Sequence, residues 1–335
     1  MKKTVSFSKN AVNLFFHILT QCNLTCRHCY INPPQHGSHR LDLATMIKWL
    51  RAIYDPAKTT NVVFLGGEPT LHPQLPEAVH AARAMGYSSI TIDTNGYLFH
   101  DILSKIDPES VDYISFSLDG ATRETNDRLR GDGVFDTGIS AIRRTIRKGF
   151  HTSLIYTVSQ ANIHELAQMP DLLFDLGIHR FFIQVLGVRG SAQSKTKDGN
   201  KGLVQVPQSA WLETIPQVAD AAARKGVIVS YPKVFLEPEA PFECAGLVAE
   251  NFFVFPNGRV YRCPLCEDYP LNALMFAADK MVRTQKINET DLFSLSIPEG
   301  CVMNKLIQPE NLVYHPDGSP LYKIACCMLK EEVSF

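Results

Sequence analysis

The residues of this sequence best able to do chemistry are its nine cysteines, which fall into two groups. Cys22, Cys26 and Cys29 stand in the spacing Cys-x3-Cys-x2-Cys; Cys244, Cys263, Cys266, Cys301, Cys326 and Cys327 follow after a long stretch without any. Spacings of three and two make a loop tight enough for three sulfurs to converge on one cube. Three thiolates hold three irons of a 4Fe-4S cluster, one fewer than full protein ligation, and the fourth iron is left for a small molecule. A zinc knuckle is the alternative reading of the same loop. Structural zinc wants four protein ligands, and His28 is the further donor at hand, although its neighbours on both sides point elsewhere. An odd cysteine count, clustered in a mid-sized chain, does not suit a secreted disulfide framework. It points to metal or iron–sulfur binding in a reducing compartment, and a cytoplasmic location is expected.

The elements that must position these groups are legible as alternating apolar runs. Strands are predicted over Leu14–Leu19, Val62–Leu65, Ser89–Asp93, Tyr113–Ser117, Ser153–Thr157 and Phe181–Val185, each short, apolar and rich in branched or aromatic residues. Helices are predicted between them over Leu43–Tyr54, Leu75–Met85, Phe99–Ile106, Phe135–Lys148 and Ile163–Leu176, with a further one near Ser209–Arg224. Gly86, Gly149 and Gly177 sit where a left-handed residue closes a helix. Six strand–helix units in series imply a parallel sheet with right-handed crossovers. They are too few for a full eight-strand barrel. The fold class is therefore α/β, a partial (β/α)6 TIM-type barrel whose site lies at the C-terminal ends of the strands, followed by a small cysteine-rich domain. Residues 187–207, rich in Gly, Lys, Ser and Gln, read as a mobile loop. Prolines and cysteines become dense after Pro232, so a boundary is placed near 230, giving domains 1–230 and 231–335.

Bulk properties allow a sizeable core, in one large domain plus a smaller one. Its 335 residues are 45% hydrophobic and 20% charged, with a formal net charge of -1. No single-sign field dominates, so neither nucleic acid nor an anionic membrane is indicated as a partner. No apolar run reaches the roughly 18 residues of a membrane-spanning helix. Met1-Lys2-Lys3 followed by Ala11–Leu19 mimics a signal peptide, but Asn13 and His17 interrupt the run and bulky Gln21 precedes Cys22. A buried first strand is the better reading.

Polar motifs stand at the predicted strand ends. Gly66-Gly67-Glu68-Pro69-Thr70 ends the second strand; two glycines let backbone approach a ligand closely and Glu68 offers an acceptor, while an ordinary strand–helix turn explains the same residues. Thr94-Asn95-Gly96 ends the third, where Asn-Gly is also a common turn pair. Ser115, Ser117 and Asp119 share one face of the fourth, and a polar stripe facing a barrel interior needs partners. Arg128-Leu129-Arg130-Gly131 follows, and Thr157, Gln184 and Leu186 stand at later strand ends.

The cysteine loop with Tyr30 after it, followed in order by these motifs over roughly residues 12–190, resembles the radical S-adenosylmethionine (SAM) superfamily. The resemblance implies a 4Fe-4S cluster on Cys22, Cys26 and Cys29 whose open iron chelates the amino and carboxylate groups of SAM. It implies reductive cleavage of SAM to a 5′-deoxyadenosyl radical that abstracts hydrogen from a biosynthetic substrate, the cofactor doing the hard chemistry and the protein aligning and shielding it. Gly66, Gly67 and Glu68 are then expected to bind the SAM ammonium, and Thr94 and Asn95 to lie near its methionine or ribose. Ser117 is a candidate for SAM contacts, Asp119 for SAM or substrate, Arg130 for positioning the loop under the site, Thr157 for the cofactor, and Leu186 for packing against adenine. The expected electron donor is of the flavodoxin or ferredoxin type.

In the second group, Asn251–Arg262 reads as a β-hairpin closed by Pro256-Asn257-Gly258. A hairpin returns its ends to one place, so Cys244 and Cys263 can meet at one metal. The phrase Cys-x13-Gly-x4-Cys resembles the start of the SPASM and twitch auxiliary domains of radical SAM enzymes. The rest of the full SPASM pattern is missing, which implies one auxiliary 4Fe-4S cluster. Cys266 is the expected third ligand, Cys326 or Cys327 the fourth, with Cys301 behind them; zinc on Cys-x2-Cys is the alternative. Substrates of related enzymes range from small molecules to peptides. A first strand near residue 14 leaves little place for a leader-binding domain, which weakens the peptide option, and the C-terminus lacks the Gly-Gly tail of the molybdenum-cofactor cyclase. Tyr231, Tyr261, Cys301 and Cys327 are conceivable hydrogen donors. A non-catalytic iron–sulfur or zinc protein, acting as carrier or sensor, is the competing function; it would not need Gly66–Glu68 or the polar strand ends.

Overall fold

The computed structural model describes residues 1–335 except 98, 100, 194–202, 268–270, 285–286 and 308–310. The strands run β1 Lys2–Val5, β2 Ala11–His17, β3 Thr59–Leu65, β4 Ser89–Thr94, β5 Tyr113–Ser117, β6 Thr152–Val158, β7 Arg180–Val185, β8 Ile228–Pro232, β9 Phe235–Leu236, β10 Glu250–Val254, β11 Arg259–Tyr261, β12 Leu274–Ala277, β13 Lys280–Arg283, β14 Lys323–Ile324 and β15 Lys330–Val333. The helices are α1 Pro33–His36, α2 Leu43–Ile53, α3 Leu75–Met85, α4 Arg123–Arg130, α5 Val134–Arg147, α6 Met169–Leu176, α7 Gln208–Arg224, α8 Ala245–Val248, α9 Glu289–Phe293 and α10 Val302–Ile307.

Strands β2 to β8 lie side by side in sequence order, all parallel. This is the partial α/β barrel expected from the alternating runs. Along β2, β3 and β4 every second residue is fully buried: Val12, Leu14 and Phe16, then Val62 and Phe64, then Ile90 and Ile92. These pack under α2 and α3, while Phe116, Leu154, Tyr156, Phe181 and Ile183 continue the same core. The other face looks into the barrel, and there the side chains turn polar. Asp93 stands beside Ser115, and Ser115 beside Ser153. The period of two thus separates an apolar core from a polar interior.

The chain beyond residue 231 completes both edges of this sheet. β10 adds parallel to β2 and turns into β11, followed by the β12–β13 hairpin; β15 pairs antiparallel with β8, and β1 with β15. The expected hairpin around Gly258 is present, with Phe253 opposite Tyr261. Its parallel seam with β2 carries a stacked Phe15–Phe253 pair with ring centroids 4.4 Å apart.

Two local expectations are corrected, and one helix was not expected. The helix expected over Phe99–Ile106 is a single 3-10 turn at Ile102–Ser104, because Phe99 and Asp101 adopt φ of 39° and 53°, which no right-handed helix accepts; Leu98 and His100 lie outside the described residues. The helix expected over Ile163–Leu176 is split into a 3-10 segment, Ile163–Gln168, and α6, at Pro170 in the first turn. The helix α4, capped by the Thr122 side chain, escapes a hydrophobic-period reading because its sequence Arg-Glu-Thr-Asn-Asp-Arg-Leu-Arg is almost wholly polar. Of the loop expected over 187–207, residues 194–202 lie outside the described residues, and Gly190–Gln193 form a 3-10 turn. No helix among the described residues is long and apolar enough to cross a membrane.

Candidate active site

The first cysteine loop leaves β2 at the C-terminal end of the barrel. Its floor is the Gly-Gly-Glu turn after β3. Gly67 N–H donates to the Leu19 carbonyl at 3.1 Å, and Glu68 N–H to the Gln21 carbonyl at 3.0 Å. A Cβ on Gly67 would stand 2.3 Å from the Gln21 oxygen, and one on Gly66 2.6 Å from the Leu19 oxygen. The two glycines therefore let the cysteine loop lie directly on the turn.

Glu68 is fully buried, and its carboxylate ties the ends of β3 and β4 together. Oε1 accepts from Thr70 N–H (3.1 Å), the Thr70 hydroxyl (2.6 Å) and the Thr94 hydroxyl (2.7 Å); Oε2 accepts from Asn95 N–H (2.7 Å). Burial raises its pKa and these donors oppose the rise. A carboxylate offers about four lone-pair positions, two per oxygen, so Oε2 retains an acceptor position. Asn95 turns its side-chain amide to the loop, 2.9 Å from Asn23 Oδ1 and 3.7 Å from Cys22 Sγ. Leu24 N–H also donates to Cys22 Sγ at 3.4 Å.

Asp119 anchors the opposite wall. Completely buried, it lies 2.6 Å from Arg130 Nε and 3.1 Å from His28 Nε2, while its Oδ1 accepts from Thr157 N–H at 2.7 Å. Burial alone would raise its pKa; Arg130 and His28 outweigh that and hold the carboxyl well below the usual range. Arg27 N–H donates to the Leu129 carbonyl at 2.9 Å, and Cys26 Sγ lies 3.9 Å from the Arg130 carbonyl. Arg130 thus stands behind Cys26, and His28, the nearby alternative ligand, is engaged with Asp119.

Burial raises the thiol pKa at Cys22 to about 11, and raises those of Cys26 and Cys29, with Arg130 opposing the rise at Cys26. All nine cysteines are free thiols, and among the described residues no three Cys, His, Asp or Glu side chains are close enough together to hold a metal ion. The donor set nevertheless fits a cluster: three half-buried thiols on one loop, an N–H and an amide aimed at Cys22 Sγ, and a glycine turn beneath. Hydrogen bonds of this kind to cluster sulfurs tune iron–sulfur centres.

Of the remaining sequence candidates, Ser117 and Thr157 are half-buried on the inward face and Gln184 is exposed. Ser115 is buried. Leu186 is buried in a small cluster with Leu129, Ala192 and Leu203.

Reading the sequence missed several residues around this site. Asp93, beside Ser115, has its pKa raised to about 7, by burial first, with nearby Glu68 adding to the rise; its place one residue before Thr94 was a usable signal. Glu165 accepts from Ala121 N–H, Thr122 and Thr125 and so pins the loop after Asp119. No sequence signal marks it.

Arg189 was missed as well, and it joins the two cysteine groups. Its guanidinium lies 4.7 Å from the Tyr30 ring centroid, 2.5 Å from Glu267 Oε2, and donates to the Pro264 carbonyl. Ser191 N–H holds the Cys29 carbonyl at 2.8 Å. From Tyr30 a second route leads across. Its hydroxyl lies 2.7 Å from His17 Nε2, His17 and His36 each lie 4.0 Å from Phe255, centroid to centroid, and His36 Nε2 reaches the Glu267 carbonyl at 2.8 Å. Burial pushes His17 down to about 3, with His36 adding to the effect, so its ring is neutral.

The second group assembles around a pocket. Cys244, Cys263, Cys301, Cys326 and Cys327 line it together with Phe242. Cys266 is buried next to Cys263 and Glu289. Five cysteines lining one pocket supply the donor type of a four-thiolate cluster, although no three of them are gathered closely enough here to hold a metal ion.

The sequence model of the radical SAM superfamily matches residues 17–173, the span that holds the cysteine loop, the Gly-Gly-Glu turn and Asp119. The chain thus carries a radical SAM domain over these residues. It is similar to the Fe-coproporphyrin III synthase of Methanosarcina barkeri, 32% identical over 56% of this chain and 48% of that one. It is also similar to a probable GTP 3′,8-cyclase of Saccharolobus solfataricus, 25% identical over 80% of this chain and 87% of that one. The chain spans about half the length of the first of these relatives. Among solved structures, Streptococcus suis SuiB superposes with a TM-score of 0.62 at 16% identity, covering 79% of this chain and 63% of SuiB. The enzyme anSMEcpe, solved with AdoMet and the Kp18Cys peptide, superposes with 0.58 at 14% identity, covering 91% and 85%. At these identities the likeness is one of fold.

Proposed function

We propose that this chain cleaves SAM reductively to a 5′-deoxyadenosyl radical, which abstracts hydrogen from a biosynthetic substrate, a small molecule or a peptide. One auxiliary cluster held by residues 231–335, in the SPASM or twitch manner, assists it. The observation that carries this reading is the seating of the Cys22–Cys29 loop on Gly66–Glu68 at the barrel mouth, within the span of the family match.

A 4Fe-4S cluster on Cys22, Cys26 and Cys29 would supply the electron and the open iron for SAM. The chain's own residues do the rest. Gly66 and Gly67 bring backbone close to the loop, and Oε2 of Glu68 keeps an acceptor position that suits the SAM ammonium. Thr94 and Asn95 hold Glu68 in place, and Asn95 also reaches Cys22. Asp119 and Arg130 brace the loop behind Cys26, with Ser117 and Thr157 on the same wall. Leu186, buried among apolar neighbours, is assigned a packing role on the adenine side. The electron comes from a flavodoxin- or ferredoxin-type donor, and the location is cytoplasmic. The relatives are named for a porphyrin synthase and a nucleotide cyclase, while SuiB has been solved with its precursor peptide. Both substrate classes therefore stay within the proposal.

The test is anaerobic incubation of the reconstituted full-length protein with SAM and dithionite. Formation of 5′-deoxyadenosine is the expected result. Its absence, with and without candidate substrates, would leave the carrier or sensor reading in its place.

A further inference from the structure

We propose that Cys301, not Cys266, completes the second cluster, so that its four thiolates come from Cys244, Cys263, Cys301 and the Cys326–Cys327 pair. This rests on the auxiliary-cluster reading above and adds the ligand set. Sequence spacing favours Cys266, three residues after Cys263. The tertiary structure places the two cysteines differently.

Main-chain pairing brings Cys301 to the pocket. Cys301 N–H donates to the Ile324 carbonyl at 3.1 Å, and Ile324 N–H to the Glu299 carbonyl at 2.9 Å. Gly300 allows the approach: its φ is 85°, and a Cβ there would stand 2.7 Å from the Ile324 oxygen. Asn304 then does two things. Its N–H points at Cys301 Sγ at 3.5 Å, and its side chain holds the Ala325 carbonyl at 3.0 Å, one residue before Cys326. Cys326 in turn packs with Ala245 and Ala249, beside Cys244. The β10–β11 hairpin brings Cys263 back to the same place. Cys301 is thus tied to the segment that carries Cys326, and it receives a backbone N–H of the kind that stabilises a bound thiolate.

Cys266 has other surroundings. It lines no part of the pocket. Its side chain lies against Cys263 and Glu289 and feels the charges of Glu289 and Glu267, whereas the charges acting on Cys301 come from Cys326, Cys263 and Cys244. Glu289 is fully buried, with Oε1 accepting from Arg262 N–H at 2.5 Å. Cys266 instead lies between Cys263 and Glu289, off the pocket that the other five cysteines line.

Iron counting on the anaerobically reconstituted full-length chain tests this. Two clusters correspond to about eight iron atoms per chain. Cys301→Ala is expected to fall to about four and Cys266→Ala to keep about eight, with circular dichroism showing both folded. Loss of the second cluster from folded Cys266→Ala, or its survival in Cys301→Ala, overturns the assignment. Should Cys301→Ala not fold, Cys301→Ser gives a further reading, since an oxygen ligand changes the electron paramagnetic resonance of the second cluster; an unchanged spectrum overturns the proposal. If the wild-type chain binds only about four irons and loses all of them with Cys22, Cys26 and Cys29, the second cluster itself fails, a result distinct from a wrong ligand.

Discussion

The two cysteine groups are built on opposite principles. Cys22, Cys26 and Cys29 sit on one short loop whose shape is set by its immediate neighbours: the glycine turn below and Arg130 behind. The C-terminal cysteines are spread from residue 244 to 327 and meet only because a hairpin, the Gly300–Ile324 contact and the Ala245 patch bring their segments together. A local site keeps its ligands near one another even when the rest of the chain moves. A dispersed site depends on the whole domain and should bind metal only as that domain folds. Arg189 and the Tyr30–His17–Phe255–His36 chain connect the two kinds.

The sharpest way to break this comparison is to remove the local group. Changing Cys22, Cys26 and Cys29 together to Ala should abolish 5′-deoxyadenosine formation and lower iron from about eight to about four per chain. Loss of all iron, or of none, would show that the two sites are not independent.

Arg189 probes the link between them. Removing one partner of a buried ion pair costs about 3–5 kcal/mol, and the Arg189 and Glu267 side chains are only 12% and 2% exposed. Arg189→Ala should lower stability by about that amount in denaturant titrations, and adding Glu267→Gln should recover part of the loss. Equal stability of wild type and Arg189→Ala would mean that the bridge does not hold the groups together.

The smallest effect concerns two aspartates of the first site. Asp93 has its pKa raised to about 7, chiefly by burial, whereas the charges of Arg130 and His28 depress that of Asp119. Between about pH 4 and 7 the folded chain therefore holds a proton on Asp93 that the unfolded chain has released, so this group makes stability fall as pH rises through that window. Asp119 acts oppositely: its contribution is present above its unfolded pKa and is lost as pH falls through the folded one. Asp93→Asn should flatten the decline in unfolding free energy between pH 4 and 7; an unaltered slope would contradict the assignment.

How much was legible in the sequence follows from how local each signal is. The strand at Tyr113–Ser117 and the helix at Leu75–Met85 were read with their observed bounds, since period and flanking glycine lie within one segment. The left-handed backbone of Phe99 and Asp101 was not, because positive φ at non-glycine residues leaves no compositional trace. Glu68 was readable as an acceptor at a strand end. That three of its hydrogen bonds go to Thr94, Asn95 and Thr70 at neighbouring turns was not.

By itself the sequence determined the alternating α/β architecture, the three-cysteine loop and the hairpin that precedes Cys263, because each is written in spacings of a few residues. Only the tertiary structure decided that β10 and β15 close the two edges of the sheet, that Asp119 is held between Arg130 and His28, and that Cys301 rather than Cys266 faces the pocket. These depend on pairing and burial between residues far apart in the chain. Which partners meet there is set by the packing of the whole molecule, where no local spacing carries a signal.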